Sequence, residues 1–176
     1  MQASIKKKTL KKGFVFWITG LSGSGKTSLA NLIKPKISKK IGLTLIINGD
    51  DLREIFEFYS YDKKSRLELA KKYSKLCKHI SNQGINIIFT VVGLFHEVHK
   101  FNSKNLENYI EIFINSDVKK IIKMKKKNTY SQKNNIFGLD IIPQYPKKPH
   151  IVINNDFNIP LNKLAANLFN QIKKII

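Results

Sequence analysis

The feature that most constrains this chain is an octapeptide, Gly20-Leu-Ser-Gly-Ser-Gly-Lys-Thr27, set between an apolar pentapeptide and a helix-forming stretch. Phe14-Val-Phe-Trp-Ile18 is strand-sized and apolar throughout, which predicts a strand buried on both faces. The residues from about Lys26 to Lys40 predict a helix. The pattern G-x-x-x-x-G-K-[ST] at a strand-to-helix turn is a phosphate-binding loop. Its glycines let successive backbone N–H groups turn inward around phosphate oxygens, and the helix N-terminus adds partial positive charge. Gly20, Ser22, Gly23, Ser24, Gly25, Lys26, Thr27 and Ser28 are therefore the expected nucleotide-phosphate site. Lys26 is expected at the β- and γ-phosphates of ATP, and the Thr27 hydroxyl as a ligand of Mg²⁺.

Apolar runs and helical segments alternate along the rest of the chain. Further strands are expected at Thr44–Asn48, Asn86–Val92, Tyr109–Ile114 and His150–Asn154, with helices from Ser65 to about Asn82 and from Leu161 to Ile175. This order predicts an α/β fold: a parallel sheet of about five strands with helices on both faces. The 176 residues suit a single domain, and neither a repeat nor a linker divides them. Residues 123–148 are polar and poor in structure signals, with two prolines and a third directly after them. Such a segment inside a compact domain reads as a lid.

Charge and composition set the limits on partners. The formal charge is +20, yet the lysines are spread over almost every segment, in a chain also rich in Asn and Ile. Solvated lysines of this kind attract anionic nucleotides without forming the concentrated stripe that a specific nucleic-acid site needs. No apolar run approaches the roughly 20 residues of a membrane-spanning helix, and the basic first twelve residues lead directly into a strand. The expectation is a cytoplasmic protein without membrane or specific nucleic-acid partners. The single cysteine, Cys77, falls in a helical stretch and reads as a small apolar filler. His79, His96, His99 and His150 show no metal-ligand spacing. His96 follows a strand and is a candidate phosphate contact, with a solvated histidine as the competing reading.

A second motif, Gly49-Asp50-Asp51-Leu-Arg53, follows the second strand. Ligands of parallel sheets bind at the carboxyl ends of strands, which places Asp50 across a crevice from the phosphates. A carboxylate there accepts a hydroxyl proton or orients Mg²⁺ through water, and Arg53 holds an anionic acceptor. Asp50 or Asp51 as the cap of a helix containing Arg53 is the structural alternative.

Across nearly its whole length the chain resembles the adenylylsulfate kinase family. Trp17 to Thr27 resembles that family's phosphate loop, and Gly49-Asp50-Asp51-Leu-Arg53 its Gly-Asp-Asn-Val-Arg element. Ser65-Arg66-Leu-Glu68 resembles Asp-Arg-x-Glu-Asn, and Lys127-Asn-Thr-Tyr130 the lid's Lys-Gly-Leu-Tyr. Gly138-Leu-Asp140, Tyr145-Pro146 and the stretch from Pro149 to Asp156 follow its closing pattern. The resemblance implies an ATP-dependent transfer to a ribose 3′-hydroxyl of a nucleotide acceptor, in a homodimer. It makes Asp50 the base, Lys26 and Lys127 the cationic groups at the transferring phosphoryl, and Arg53 and Arg66 the acceptor-binding arginines. Tyr61 takes the place of a stacking aromatic, and Phe95, Ile136 and Phe137 complete the acceptor site. Phe56, Phe58 and Tyr59 are expected to pack and not to touch the acceptor base.

The departures from the family fall on the acceptor side. Leu69 stands where the family has Asn, Gly93-Leu94-Phe95-His96 where it has Ser-Pro-Phe/Tyr-Arg, and Ile136-Phe137-Gly138 where it has Phe-Thr-Gly. A stacking aromatic traded for Ile136 suits a different base. The pattern resembles an offshoot of the family that phosphorylates cytidine diphosphoramidate in capsule synthesis. The alternatives are sulfate activation with adenylylsulfate as acceptor and, more distantly, a non-catalytic basic protein that binds nucleotide or RNA.

Overall fold

A computed structural model describes residues 11–124 and 136–176. The strands are β1 (Val15–Gly20), β2 (Thr44–Asn48), β3 (Asn86–Val91), β4 (Tyr109–Asn115) and β5 (Ile151–Asn154). The helices are α1 (Lys26–Ile41), α2 (Gly49–Ile55), α3 (Lys63–Ser81), α4 (His96–Asn105), α5 (Val118–Lys123) and α6 (Leu161–Ile172). The strands form one sheet in the order β2-β3-β1-β4-β5 with every pairing parallel. The predicted strands and the three predicted helices are all present, with ends that coincide or shift by up to three residues.

β1 lies at the centre, with all six residues buried, because both of its faces are covered. Phe16 and Ile18 point into one layer with Leu29, Ile33 and Ile37 of α1 and Leu164, Leu168 and Ile172 of α6. Val15 and Trp17 point into the other, with Leu69, Tyr73 and Cys77 of α3 and Val98 of α4. Alternation along a strand thus feeds two separate cores, and an apolar strand is what a doubly covered parallel sheet requires. Trp17 stacks on Phe89 at 4.6 Å between ring centroids, and Tyr73 packs on the same ring at 5.2 Å. Cys77 is fully buried, and its surroundings push its thiol pKa up, so it is a filler as expected.

The switch in connection direction sits beside β1: β2 and β3 lie on one side, β4 and β5 on the other. The crevice of such a sheet opens at the carboxyl end of the central strand. The octapeptide leaves β1 there, and α2 starts at the same edge from the end of β2.

Three helices were not among the expected elements as helices in their own right: α2, which the motif analysis met only as the alternative cap site, α4 and α5. α4 buries two polar residues, His99 and Asn102, together with Val98. The Glu111 carboxylate accepts from Tyr109 Oη at 2.8 Å and lies 2.7 Å from His99 Nδ1, while Ser74 Oγ donates to Asn102 Oδ1. A helix that buries partnered polar groups shows little apolar periodicity, so hydrophobic patterning passes over it. No helix of the described residues is long and apolar enough to cross a membrane.

Candidate active site

The loop after β1 is shaped by its backbone. A Cβ on Gly20 would lie 2.5 Å from the Ile114 carbonyl oxygen, so the loop's entry admits only glycine beside β4. Gly25 caps α1 with φ 94°, the left-handed conformation that L side chains resist. Lys26 is 9 % exposed, and its Nζ donates to the carbonyls of Gly20 at 3.0 Å and Leu21 at 2.7 Å. Its ammonium is therefore held against the inside of its own loop. Asn155, buried after β5, donates from Nδ2 to the Ser24 carbonyl at 3.0 Å, and its backbone N–H donates to Asn115 O at 2.8 Å. This asparagine ties the loop to the far edge of the sheet.

Two cavities open on either side of a shared wall. One, of about 460 Å³, is lined by Ser22, Gly23, Gly25, Lys26, Thr27 and Ser28, and by Asn48, Thr90, Asn155 and Phe157 beyond them. The other, of about 380 Å³, is lined by Arg53, Tyr61, Arg66, Phe95, Ile136 and Phe137. Ser22, Asp50, Val91 and Val92 line both. Every expected acceptor residue reaches the second cavity, and Asp50 stands on the partition.

Asp50 and Asp51 separate by geometry. Asp51 accepts from Asn48 Nδ2 at 2.9 Å, and Asn48 Oδ1 in turn accepts from Thr90 Oγ1 at 2.6 Å. Asp51 lines neither cavity. Neither aspartate caps α2 in the expected way, because the cap position is Asn48, whose side chain makes no capping bond. From the other side, buried Tyr73 of α3 donates from its hydroxyl to the Gly49 carbonyl at 2.8 Å. Burial and then the nearby Asp50 charge push the Tyr73 pKa up to about 12, with Arg53 opposing them. The neutral hydroxyl is thereby fixed as a donor that holds the first turn of α2.

The acceptor wall is an aromatic and cationic cluster. Arg53 Nη1 donates to the carbonyls of Phe58 at 3.1 Å and Ser60 at 2.7 Å, and its guanidinium lies 4.5 Å from the Tyr61 ring centroid. Arg66 Nε donates to Tyr61 O at 2.7 Å, and its guanidinium lies 5.1 Å from the centroids of both Tyr61 and Phe137. Phe95 meets Phe137 edge-on at 5.0 Å. Burial first, and the facing Arg53 charge second, lower the Arg66 pKa from its ordinary value. Two like charges held this close favour an anion between them.

Four placements refine the expectations. Tyr59 lines the acceptor cavity, whereas packing alone was expected of it. Phe58 does pack, beneath Arg53 at 5.5 Å. His96 lines neither cavity; its Nε2 lies 3.0 Å from the Tyr145 carbonyl. Lys127 falls outside the described residues. Asn155, Asn48 and Thr90 were missed, since a single polar residue at a strand end carries no motif, and Tyr73 was missed because it reads as one more core position of α3. For Asn155 the only available signal was its place just past the last strand, at the ligand-binding end of the sheet.

A parallel sheet with this switch point, a glycine loop holding a buried lysine, and a carboxylate between two cavities define a P-loop kinase. The chain belongs to the adenylylsulphate kinase family, whose model matches residues 12–154. It is accordingly a phosphotransferase with a hydroxyl group as acceptor, of an ATP-using family. The chain is similar to cytidine diphosphoramidate kinase of Campylobacter jejuni, with 35 % identity over 92 % of this chain and 96 % of the relative. It is similar also to adenylyl-sulfate kinase of Clostridium acetobutylicum, with 28 % identity over 96 % and 88 % of the two chains. The APS kinase of Mycobacterium tuberculosis, solved with AMPPNP and APS, shares the fold at a TM-score of 0.81. Its identity is 21 %, over 92 % of this chain and 98 % of that one.

Proposed function

We propose that this chain transfers the γ-phosphoryl group of ATP to the ribose 3′-hydroxyl of cytidine diphosphoramidate, as a step in capsule phosphoramidate synthesis. Asp50 on the partition between the two cavities carries the reaction, because a nucleotide on either side meets at this carboxylate. The acceptor's 3′-oxygen attacks the γ-phosphorus, and the bond from that phosphorus to the β–γ bridging oxygen breaks. The hydroxyl proton passes to the Asp50 carboxylate and ADP leaves. Lys26 withdraws from its loop carbonyls onto the β- and γ-phosphate oxygens and stabilises the charge that moves there. Lys127 is assigned the same service from the lid, residues 123–148.

The donor set fits a magnesium ion. Thr27 and Asp50 line one cavity and offer hard oxygen ligands, and no group of three or more His, Cys, Asp or Glu among the described residues offers an all-protein cage. Thr27 would hold the ion directly and Asp50 through water. When bound, Mg²⁺ neutralises charge on the β- and γ-phosphates.

The choice of acceptor rests on the rebuilt wall. Leu69, Gly93 and Ile136 line the acceptor cavity, at positions where adenylylsulfate kinases use Asn, Ser and Phe. The greater identity to the diphosphoramidate kinase than to the adenylyl-sulfate kinase supports the same choice. Family membership supports adenylylsulfate as the second reading. Measuring kcat/KM for both acceptors at fixed ATP, by ADP release, separates them. Cytidine diphosphoramidate is expected to be much the better substrate. Equal or better use of adenylylsulfate assigns the chain to sulfate activation. A homodimer is part of the same proposal, and light scattering of the purified protein tests it.

A further inference from the structure

The acceptor cavity carries a charged group that the proposed chemistry leaves unused. Among the described residues its charged lining is Asp50, Arg53, Glu54 and Arg66, two cations and two anions. That balance is unexpected in a chain of formal charge +20 with only 12 acidic residues, built to receive an anionic nucleotide. Asp50 has its role at the 3′-hydroxyl. Glu54 lies one helical turn further along α2, on the same wall. Like charges at this spacing repel, so the helix itself gains nothing from the second carboxylate. Nor do the arginines quench it. Arg53 is turned to the carbonyls of Phe58 and Ser60, and Arg66 donates to Tyr61. Glu54 has no side-chain hydrogen bond or ion pair among the described residues.

We propose that Glu54 is a specificity-determining residue that reads a nitrogen on the acceptor: it accepts an N–H bond from the terminal phosphoramide and turns away acceptors ending in an oxyanion. An ionised carboxylate only accepts hydrogen bonds, so its counterpart must be a donor. A P–NH₂ terminus offers two donors and one negative charge fewer than the P–O⁻ of a nucleoside diphosphate. The two arginines bind what those termini share, the remaining phosphate oxygens, and Glu54 distinguishes what they do not. This inference rests on the proposed acceptor and adds the group that selects it.

Cytidine diphosphoramidate and CDP differ only at this terminus, so the wild-type protein, Glu54→Gln and Glu54→Ala are compared on both. The wild type is expected to favour the phosphoramidate in kcat/KM by about tenfold or more, the scale on which an unmatched polar group is rejected. Glu54→Gln removes the repulsion and keeps the shape, so it should shrink that ratio about tenfold, chiefly by better use of CDP. Glu54→Ala should shrink it through poorer use of the phosphoramidate. The KM for ATP should move less than twofold in either variant. Glu54 is exposed, so both variants are expected to fold. Uridine diphosphoramidate supplies the control for the other N–H source, the exocyclic amine of cytosine. A ratio of phosphoramidate to CDP that Glu54→Gln leaves unchanged overturns the inference alone. So does a change confined to the cytidine-to-uridine ratio. A wild type that prefers adenylylsulfate overturns the proposed acceptor and this inference together.

Discussion

The two cavities that share Asp50 are built from different materials. The phosphate cradle is made of main chain: glycine conformations, N–H groups, two carbonyls that hold Lys26, and a third that Asn155 grips. The acceptor wall is made of side chains delivered by α2, by the turn after it, by α3 and by the segment at Ile136. Phosphate is the same ligand in every such enzyme, and a backbone mould suits it. A side-chain wall is replaceable position by position without disturbing the sheet, and Leu69 and Ile136 are such replacements. On the proposed reading, one half of the site is a fixed template and the other is where specificity resides.

The largest expected effect tests the template half. Lys26→Ala should lower kcat by at least about 10³-fold, because it removes charge stabilisation at the transferring phosphoryl. Thermal unfolding should change little. Activity within about tenfold of wild type, a barrier change of about 1.4 kcal/mol, would remove Lys26 from the mechanism.

The partition comes next. Asp50→Asn should cost about 10²-fold or more in kcat, the usual scale for a general base. Asp51→Asn should cost far less, since Asp51 is engaged by Asn48 outside both cavities. The reverse order would exchange the two roles and move the partition by one residue.

The acceptor wall is expected to respond in KM. Tyr61→Ala and Arg66→Ala should each weaken the acceptor by about 1–3 kcal/mol, the range for losing a stacking surface or a charged hydrogen bond, and leave the KM for ATP unchanged. An equal loss of ATP affinity would mean that the two halves are not separable.

The smallest effect concerns the brace behind the partition. Tyr73→Phe removes the bond to the Gly49 carbonyl and should lower stability by about 1 kcal/mol at neutral pH. The pH dependence has a fixed sign. The folded pKa lies near 12, above the ordinary value of 10.0, so the native state retains a proton that the unfolded chain releases. Tyr73 therefore supports the fold fully below pH 10 and loses that support as the pH climbs towards 12. Tyr73→Phe should flatten this part of the stability profile measured by urea unfolding.

How much of this was legible in the sequence follows the same division. The cradle is contiguous, so a strand, eight residues and a helix reveal it, and five of the eight (Ser22, Gly23, Gly25, Lys26 and Thr27) line one cavity. The acceptor residues are scattered over more than eighty positions, and no spacing rule links Arg53, Arg66 and Phe137; resemblance to a family located them. Glu54 and Asn155 were not found at all. Each is a single polar residue whose meaning is its address in space, and α4 was missed because its buried face sets His99 and Asn102 beside Val98, with Glu111 and Ser74 as their polar neighbours.

The bond from Asn155 to the Ser24 carbonyl spans 131 residues of sequence. In chain order the nucleotide motif comes well before β5 and the asparagine that clamps its loop. β1 must wait between β3 and β4 for partners translated more than sixty residues later. A nascent chain stopped before β5 would display the whole phosphate signature and hold an unfinished loop. Domains tend to fold as units, and here the loop is clamped only once a residue 131 positions downstream has docked.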